Sequence, residues 1–175
     1  MAEKHMKLVA ALALIALLAA AASWVHSDRV AGESRAQLRT SALGLLEQLL
    51  AEDEAILKEL QAERYSDKDA GILASYLARI RRDGVAKHAD MKQRLDQLAD
   101  NNAAIVALIK AYSPQARTPA FTSEADKFRV YASAWRDRWN SVMEIFMTGG
   151  TYAVAEVPFP RDFSGAIRAE ISATT

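Results

Sequence analysis

Several kinds of residue are scarce or absent in this chain of 175 residues. It has no cysteine, three histidines, and 22 basic side chains balanced by 22 acidic ones. Without cysteine the chain forms no disulfide and no thiolate-ligated metal centre, and it has no thiol nucleophile. The balanced charge removes the electrostatic basis for binding nucleic acid or coating an anionic membrane surface. We therefore expect no nucleic-acid partner.

The sequence also lacks the motifs of common catalytic sites. It contains no glycine-rich phosphate loop, no Gly-x-Ser-x-Gly and no Rossmann fingerprint. His5, His26 and His88 are too far apart for one helix to present a pair of metal-binding histidines. Acidic runs such as Glu52-Asp53-Glu54 are expected on the solvated face of a helix. The sequence therefore predicts a protein that is not an enzyme and holds no cofactor or metal.

One long apolar run follows the first residues. Residues 8–25 carry no charge and come after Lys4 and Lys7. Their length suits a membrane-spanning helix, and the small residues at 20–22 also suit a signal peptidase site. We predict a signal anchor; the alternative is cleavage near Ala22, which releases a soluble periplasmic protein. In both cases the two lysines keep the N-terminus in the cytoplasm and place the domain outside.

The rest of the chain predicts an all-α, antiparallel up-and-down bundle over residues 26–150, with three main helices. The first is expected at 35–64, where leucines recur at steps of three and four, and Asp53 is assigned to its solvated face. The bundle is followed by an irregular segment, 151–175, with a short helix at 164–172. Short connections between the helices favour antiparallel neighbours.

The second helix has the most regular pattern. Apolar residues from Leu73 to Tyr112 follow a heptad-like repeat with one extra four-residue step around Gly84. This predicts a helix over 67–112, about 69 Å long if unbroken, after a short turn at 65–67. Because it would overshoot the first helix, we expect it to bend.

Two places in the second helix are candidates for that bend. Gly84 is one, since glycine is unfavourable inside a helix. The other is Asp100-Asn101-Asn102, which we prefer because these residues cap helices well and fit poorly inside them. The alternative interpretation of Asn101 and Asn102 is functional, since a polar residue at a core heptad position can set register or partner choice.

The third helix is predicted to begin with Thr122 or Ser123 as its cap and to end at Gly149-Gly150 in a left-handed turn. Trp135 and Trp139, one turn apart, are candidate interaction residues. The alternative is that they pack in the core, because apolar residues extend the same stripe on either side.

Three further aromatic residues and one histidine are candidate site residues. Tyr152, Phe159 and Phe163 belong to an apolar, irregular segment that either binds a partner or folds back over the bundle. The same segment opens with an alternating stretch, 152–157, that suits an extended chain. His88 lies on the apolar stripe, where it is either a haem or metal ligand or a core histidine.

These observations favour a non-catalytic, membrane-anchored, extracytoplasmic helical bundle. We expect it to act in protein interaction or assembly, with a protein partner or a second copy of itself. The alternative is a sensor-like bundle that binds a small molecule near His88, Met91, Trp135 and Trp139, either anchored or secreted after signal cleavage.

Overall fold

The computed structural model describes residues 29–62, 71–150 and 157–173. Within these ranges the chain is all-helical, as predicted, and a helical bundle agrees with it. Five α-helices are present: α1 (Arg29–Ala62), α2 (Gly71–Asp83), α3 (Ala89–Tyr112), α4 (Pro119–Thr148) and α5 (Asp162–Ser172). Short 3-10 turns, Val85–His88 and Ser113–Gln115, precede and follow α3.

The membrane segment predicted at 8–25 lies outside the described residues, and so does the turn predicted at 65–67. No helix in the described part of the chain is long and apolar enough to span a bilayer.

The described chain divides into two compact units. Unit 1 contains residues 29–50, 103–128 and 160–173, and unit 2 contains residues 51–62, 71–102, 129–150 and 157–159. Helices α1, α3 and α4 contribute residues to both units, α2 belongs to unit 2 and α5 to unit 1.

Helix α1 buries the predicted leucine stripe and one residue that the sequence assigned to water. Leu43, Leu46 and Leu60 are fully buried, and so is Asp53. The assignment of Asp53 to the solvated face is therefore wrong. Asp53 follows Leu49 by four residues and precedes Leu60 by seven, so helical geometry places it on the apolar face despite its acidic neighbours.

The prediction of one helix over 67–112 is also wrong, because the chain breaks at Gly84. Gly84 has φ +83° and ψ 157°, a conformation that is essentially restricted to glycine. Its N–H still donates to the carbonyl of Ile80, which closes α2, and the next four residues form the 3-10 turn. The bend thus falls at Gly84 and not at the preferred Asp100-Asn101-Asn102.

At Gly84 the chain reverses its direction. Burial, and then the negative charge of Asp96, raise the pKa of Tyr76. These two residues would be about 30 Å apart on one straight helix, so α2 must fold back along α3 for the charge to act. Helix α2 also meets α4 and the chain just beyond its end. Tyr76 contacts Trp139, and Arg81 donates to the carbonyl of Gly150. The partner of Arg81 comes later in the chain than the partner of Tyr76, just as Arg81 comes later than Tyr76, so α2 and α4 run parallel in unit 2.

Helix α3 is continuous through Asn101 and Asn102, and both side chains are buried. In unit 2 it runs antiparallel to α1, because Asn101 bonds to Asp53 whereas the earlier Arg94 pairs with the later Glu59. The interpretation of the two asparagines as a helix junction is therefore wrong, and the alternative, a role in register or partner choice, stays a prediction.

Helix α4 begins three residues before the predicted cap. The Thr118 hydroxyl accepts the N–H of Phe121 at 3.3 Å, which makes Thr118 the N-cap and Pro119 the first helical residue. The other end is as predicted: Gly149 has φ +73°, and its N–H donates to the carbonyl of Ile145.

We expect Gly84→Ala to lower the free energy of unfolding by about 1–3 kcal/mol, because alanine is strained at this φ and ψ. No heavy atom lies within 4 Å of an added Cβ, so the loss would come from the backbone alone. Urea unfolding followed by circular dichroism measures it.

The matched control is Gly44→Ala, at an exposed position inside α1 where an added Cβ also meets nothing within 4 Å. This change should raise stability by up to about 1 kcal/mol, because alanine is the better helix former. Equal effects of the two substitutions would contradict the assignment of strain to Gly84.

Candidate functional site

A groove lies between α1 and α3 in unit 2. It has a volume of about 350 Å³ and is lined by Ile56 of α1 and by Asp90, Gln93, Arg94 and Gln97 of α3. The α3 residues are spaced three and four apart, so they form one continuous face of that helix. The lining combines one acidic, one basic and two amide side chains with a single apolar one.

A chain of hydrogen bonds leads from this groove into the interior. The Gln97 side-chain amide donates to Oδ1 of Asn101 at 2.8 Å. The Asn101 amide then donates to Oδ1 of Asp53 at 2.9 Å. Because Asp53 is fully buried, the groove is linked through two hydrogen bonds to a carboxyl group that has no contact with water.

The environment of Asp53 keeps its carboxyl group neutral over an unusually wide range of pH. Burial raises its pKa to about 8; the hydrogen bond from Asn101 opposes this shift and the charge of Glu52 adds to it. At pH 7 the protonated form therefore predominates, and the group is a hydrogen-bond donor as well as an acceptor.

Several buried polar atoms of unit 2 lack a hydrogen-bond partner in the described structure. They are Oδ2 of Asp53, both side-chain polar atoms of Asn102, and the Tyr76 hydroxyl. Asn102 is only 3% exposed and Tyr76 is fully buried. An unsatisfied buried polar group costs about 1–3 kcal/mol, so several in one unit call for a reason beyond packing.

The rim of the groove carries opposite charges. Arg94 pairs with Glu59 of α1 at 3.4 Å, and the Glu59 side chain is 58% exposed. Asp90 lies one turn before Arg94 on the same face of α3. A partly exposed pair such as Arg94–Glu59 contributes at most about 1 kcal/mol.

The two tryptophans predicted as interaction residues lie inside unit 2. Trp135 and Trp139 are 5% and 8% exposed, and their rings stack with centroids 5.9 Å apart. Trp139 also contacts Tyr76 of α2, with centroids 5.6 Å apart. This placement agrees with the packing alternative for both residues.

The two described C-terminal aromatic candidates pack against different partners. Phe163 is fully buried in unit 1, against Phe121 and Phe128. Phe159, in unit 2, is partly exposed and meets the edge of Tyr131. Tyr152 and the stretch predicted as extended lie outside the described residues.

His88 is held by a carboxylate in the turn that follows Gly84. Its Nε2 lies 2.9 Å from Oδ2 of Asp83, which Arg82 also contacts. Among the described residues no group of three or more histidine, aspartate or glutamate side chains is placed to hold a metal. The geometry gives His88 a hydrogen bond to Asp83 in the turn that connects α2 to α3.

A second buried carboxylate, Glu170, lies in unit 1 and is fully satisfied. Its Oε1 accepts the Tyr112 hydroxyl and the Arg117 N–H, each at 2.7 Å. Its Oε2 accepts the N–H of Thr118 at 2.8 Å and its hydroxyl at 2.6 Å. Burial raises the pKa of Glu170, but these hydrogen bonds together outweigh it and leave the pKa below its ordinary value.

Sequence reasoning missed both buried carboxylates, although the sequence carried a signal for one. Asp53 keeps the spacing of the apolar stripe, four residues after Leu49 and three before Ile56, but Glu52 fits the same stripe by steps of three and four. Glu170 follows Phe163 by seven residues and Ile167 by three, but its donors come from a connection more than fifty residues earlier. No local sequence pattern predicts those donors.

Comparison with known proteins gave no relatives: no family model, curated protein or solved structure matched the chain. The properties of the groove and of its buried polar residues therefore carry the functional argument.

We expect Asp53→Asn to abolish a dependence of stability on pH. The folded pKa of about 8 lies above the ordinary value of 3.8, so between these pH values the unfolded chain loses a proton that the folded chain keeps. The free energy of unfolding of the natural protein should fall as pH rises from about 4 and level off above about 8. Urea unfolding at pH 5, 6, 7 and 8 measures this slope.

The control is Glu54→Gln, on the exposed neighbouring position of α1. Glu54→Gln should retain the fall in the free energy of unfolding with rising pH. At pH 8, Asp53→Asn should therefore be more stable than Glu54→Gln. A natural protein and an Asp53→Asn variant with parallel pH profiles would show that Asp53 is charged at neutral pH.

Proposed function

We propose that this protein is a non-catalytic extracytoplasmic binding protein whose unit 2 takes up a small polar ligand through the groove between α1 and α3. This is the sensor-like alternative of the sequence analysis. The observation that carries it is the set of buried, unsatisfied polar atoms on Asp53 and Asn102, together with the hydrogen-bonded path from the groove to Asp53.

Two physical arguments support the proposal. A buried asparagine with no partner is less stable than an apolar residue of similar size, so its presence makes sense where the amide meets a ligand. The groove volume of about 350 Å³ also lies within the range of known small-molecule sites, about 300–1,000 Å³.

A role in protein interaction or assembly is the second candidate. It is supported by the partial exposure of Phe159 and by the apolar run at 8–25, which would keep the bundle beside other membrane proteins. In this proposal the partner is another protein or a second copy of the chain, and the groove is part of the surface that it contacts.

Two leucine variants distinguish a ligand-binding amide from one that only packs. We expect Asn102→Leu to gain about 1–3 kcal/mol of stability, because it removes an unsatisfied polar group. Gln97→Leu should lose ligand binding, because Gln97 lines the groove and donates to Asn101. The measurement is the melting temperature of the natural protein and both variants against a library of small polar molecules.

Asn140→Leu, at an exposed position of α4, is the matched control and should keep every shift that the natural protein shows. If no molecule stabilises the natural protein, or if Gln97→Leu keeps the same shifts, the ligand-binding proposal fails. The assembly role would then be the better interpretation.

The membrane anchor has a separate test, the intact mass of the protein recovered from membrane and soluble exported fractions. We propose that residues 8–25 are retained, which predicts the full-length mass in the membrane fraction. A mass that begins near Ser23 in the soluble fraction would instead show cleavage near Ala22 and a free periplasmic bundle.

A further inference from the structure

The charges around the groove in unit 2 are arranged for a ligand that carries both signs. Asp90 and Arg94 both line it and are one helical turn apart, with a rise of about 6 Å along α3. The remaining lining residues are uncharged, and Glu59 on the rim pairs with Arg94. A groove that presents one anionic and one cationic lining residue favours a molecule whose own positive and negative groups match the pair.

The size of the groove limits the length of that molecule. A volume of about 350 Å³ lies at the small end of the range for small-molecule sites, about 300–1,000 Å³. We therefore expect a small ligand. A molecule this small reaches both Asp90 and Arg94 only if its ammonium and carboxylate groups are close together.

The rest of the lining indicates what the ligand carries besides its charges. Gln93 and Gln97 present primary amides, and Ile56 supplies the single apolar contact from α1. Gln97 continues through Asn101 to the buried Asp53, so a polar group bound beside Gln97 extends an existing chain of hydrogen bonds. A short side chain that ends in an amide or hydroxyl group satisfies these partners.

We infer that the groove binds a small zwitterion of the α-amino-acid type with an uncharged polar side chain. Asp90 accepts hydrogen bonds from the ammonium group, and Arg94 donates to the carboxylate in place of its exposed contact with Glu59. Gln93 and Gln97 bind the side chain. This inference rests on the proposed ligand-binding function, which it makes specific.

The test is calorimetric titration of the full chain with L-glutamine, a small zwitterion whose side chain ends in an amide. N-acetyl-L-glutamine lacks the ammonium group, and L-glutamine amide lacks the carboxylate. We expect L-glutamine to bind and each derivative to bind at least about tenfold more weakly, because each leaves one rim charge without its partner.

Two variants assign the contacts. Arg94→Gln should weaken L-glutamine by about tenfold and remove the difference between L-glutamine and its amide. Asp90→Asn should weaken L-glutamine by about tenfold and remove the difference between L-glutamine and its N-acetyl derivative. Arg136→Gln and Asp137→Asn, exposed residues of α4 in the same unit, are the controls and should bind as the natural protein does. Circular dichroism verifies that all four variants are folded.

The outcomes separate this inference from the proposed function. Equal binding of L-glutamine and both derivatives would overturn the zwitterion inference while leaving a ligand site in place. The zwitterion inference would also be overturned, with a ligand site left in place, if only library molecules without an ammonium or a carboxylate group shifted the melting temperature. If L-glutamine, the other α-amino acids and every member of the polar library fail to bind, both the inference and the proposed function are wrong.

Discussion

A carboxyl group inside a helical protein must either find hydrogen-bond donors or give up its charge, and this chain shows both solutions. Glu170 accepts four hydrogen bonds, one from Tyr112 at the end of α3 and three from the connection between α3 and α4, which keep it charged and tie α5 to both. Asp53 receives one from Asn101, and its pKa rises to about 8. The difference follows from donor supply, because an unpaired helix N-terminus offers N–H groups that the side of a helix does not.

The two carboxylates therefore serve different purposes in their units. Glu170 completes unit 1, because its oxygens satisfy the backbone at the start of α4 and the Tyr112 hydroxyl together. Asp53 leaves unit 2 incomplete, with one oxygen unsatisfied, and the amide of Asn102 in the same unit is also unsatisfied. Proteins place such costs where they gain binding or specificity, and this is why the proposed function centres on unit 2.

Sequence periodicity predicted the helical class and most helix ends, since glycine, proline and the apolar stripe act locally. It did not predict the reversal at Gly84, because the apolar repeat continues on both sides and fits one long helix as well as two folded together. Asp53 was assigned to water because it stands between Glu52 and Glu54. The groove could not be predicted, since it depends on which face of α3 meets α1.

The position of Glu170 in the chain also bears on the order in which the protein folds. Its donors lie 52 to 58 residues earlier, and Arg168 on the same helix contacts Glu47, 121 residues away. The turn after Gly84, by contrast, joins two helices through a few residues. Because closing a longer loop costs more entropy and slows folding, the pairing of α2 with α3 should precede the docking of α5. The hydrogen bonds that secure unit 1 are thus among the last that a folding chain can make.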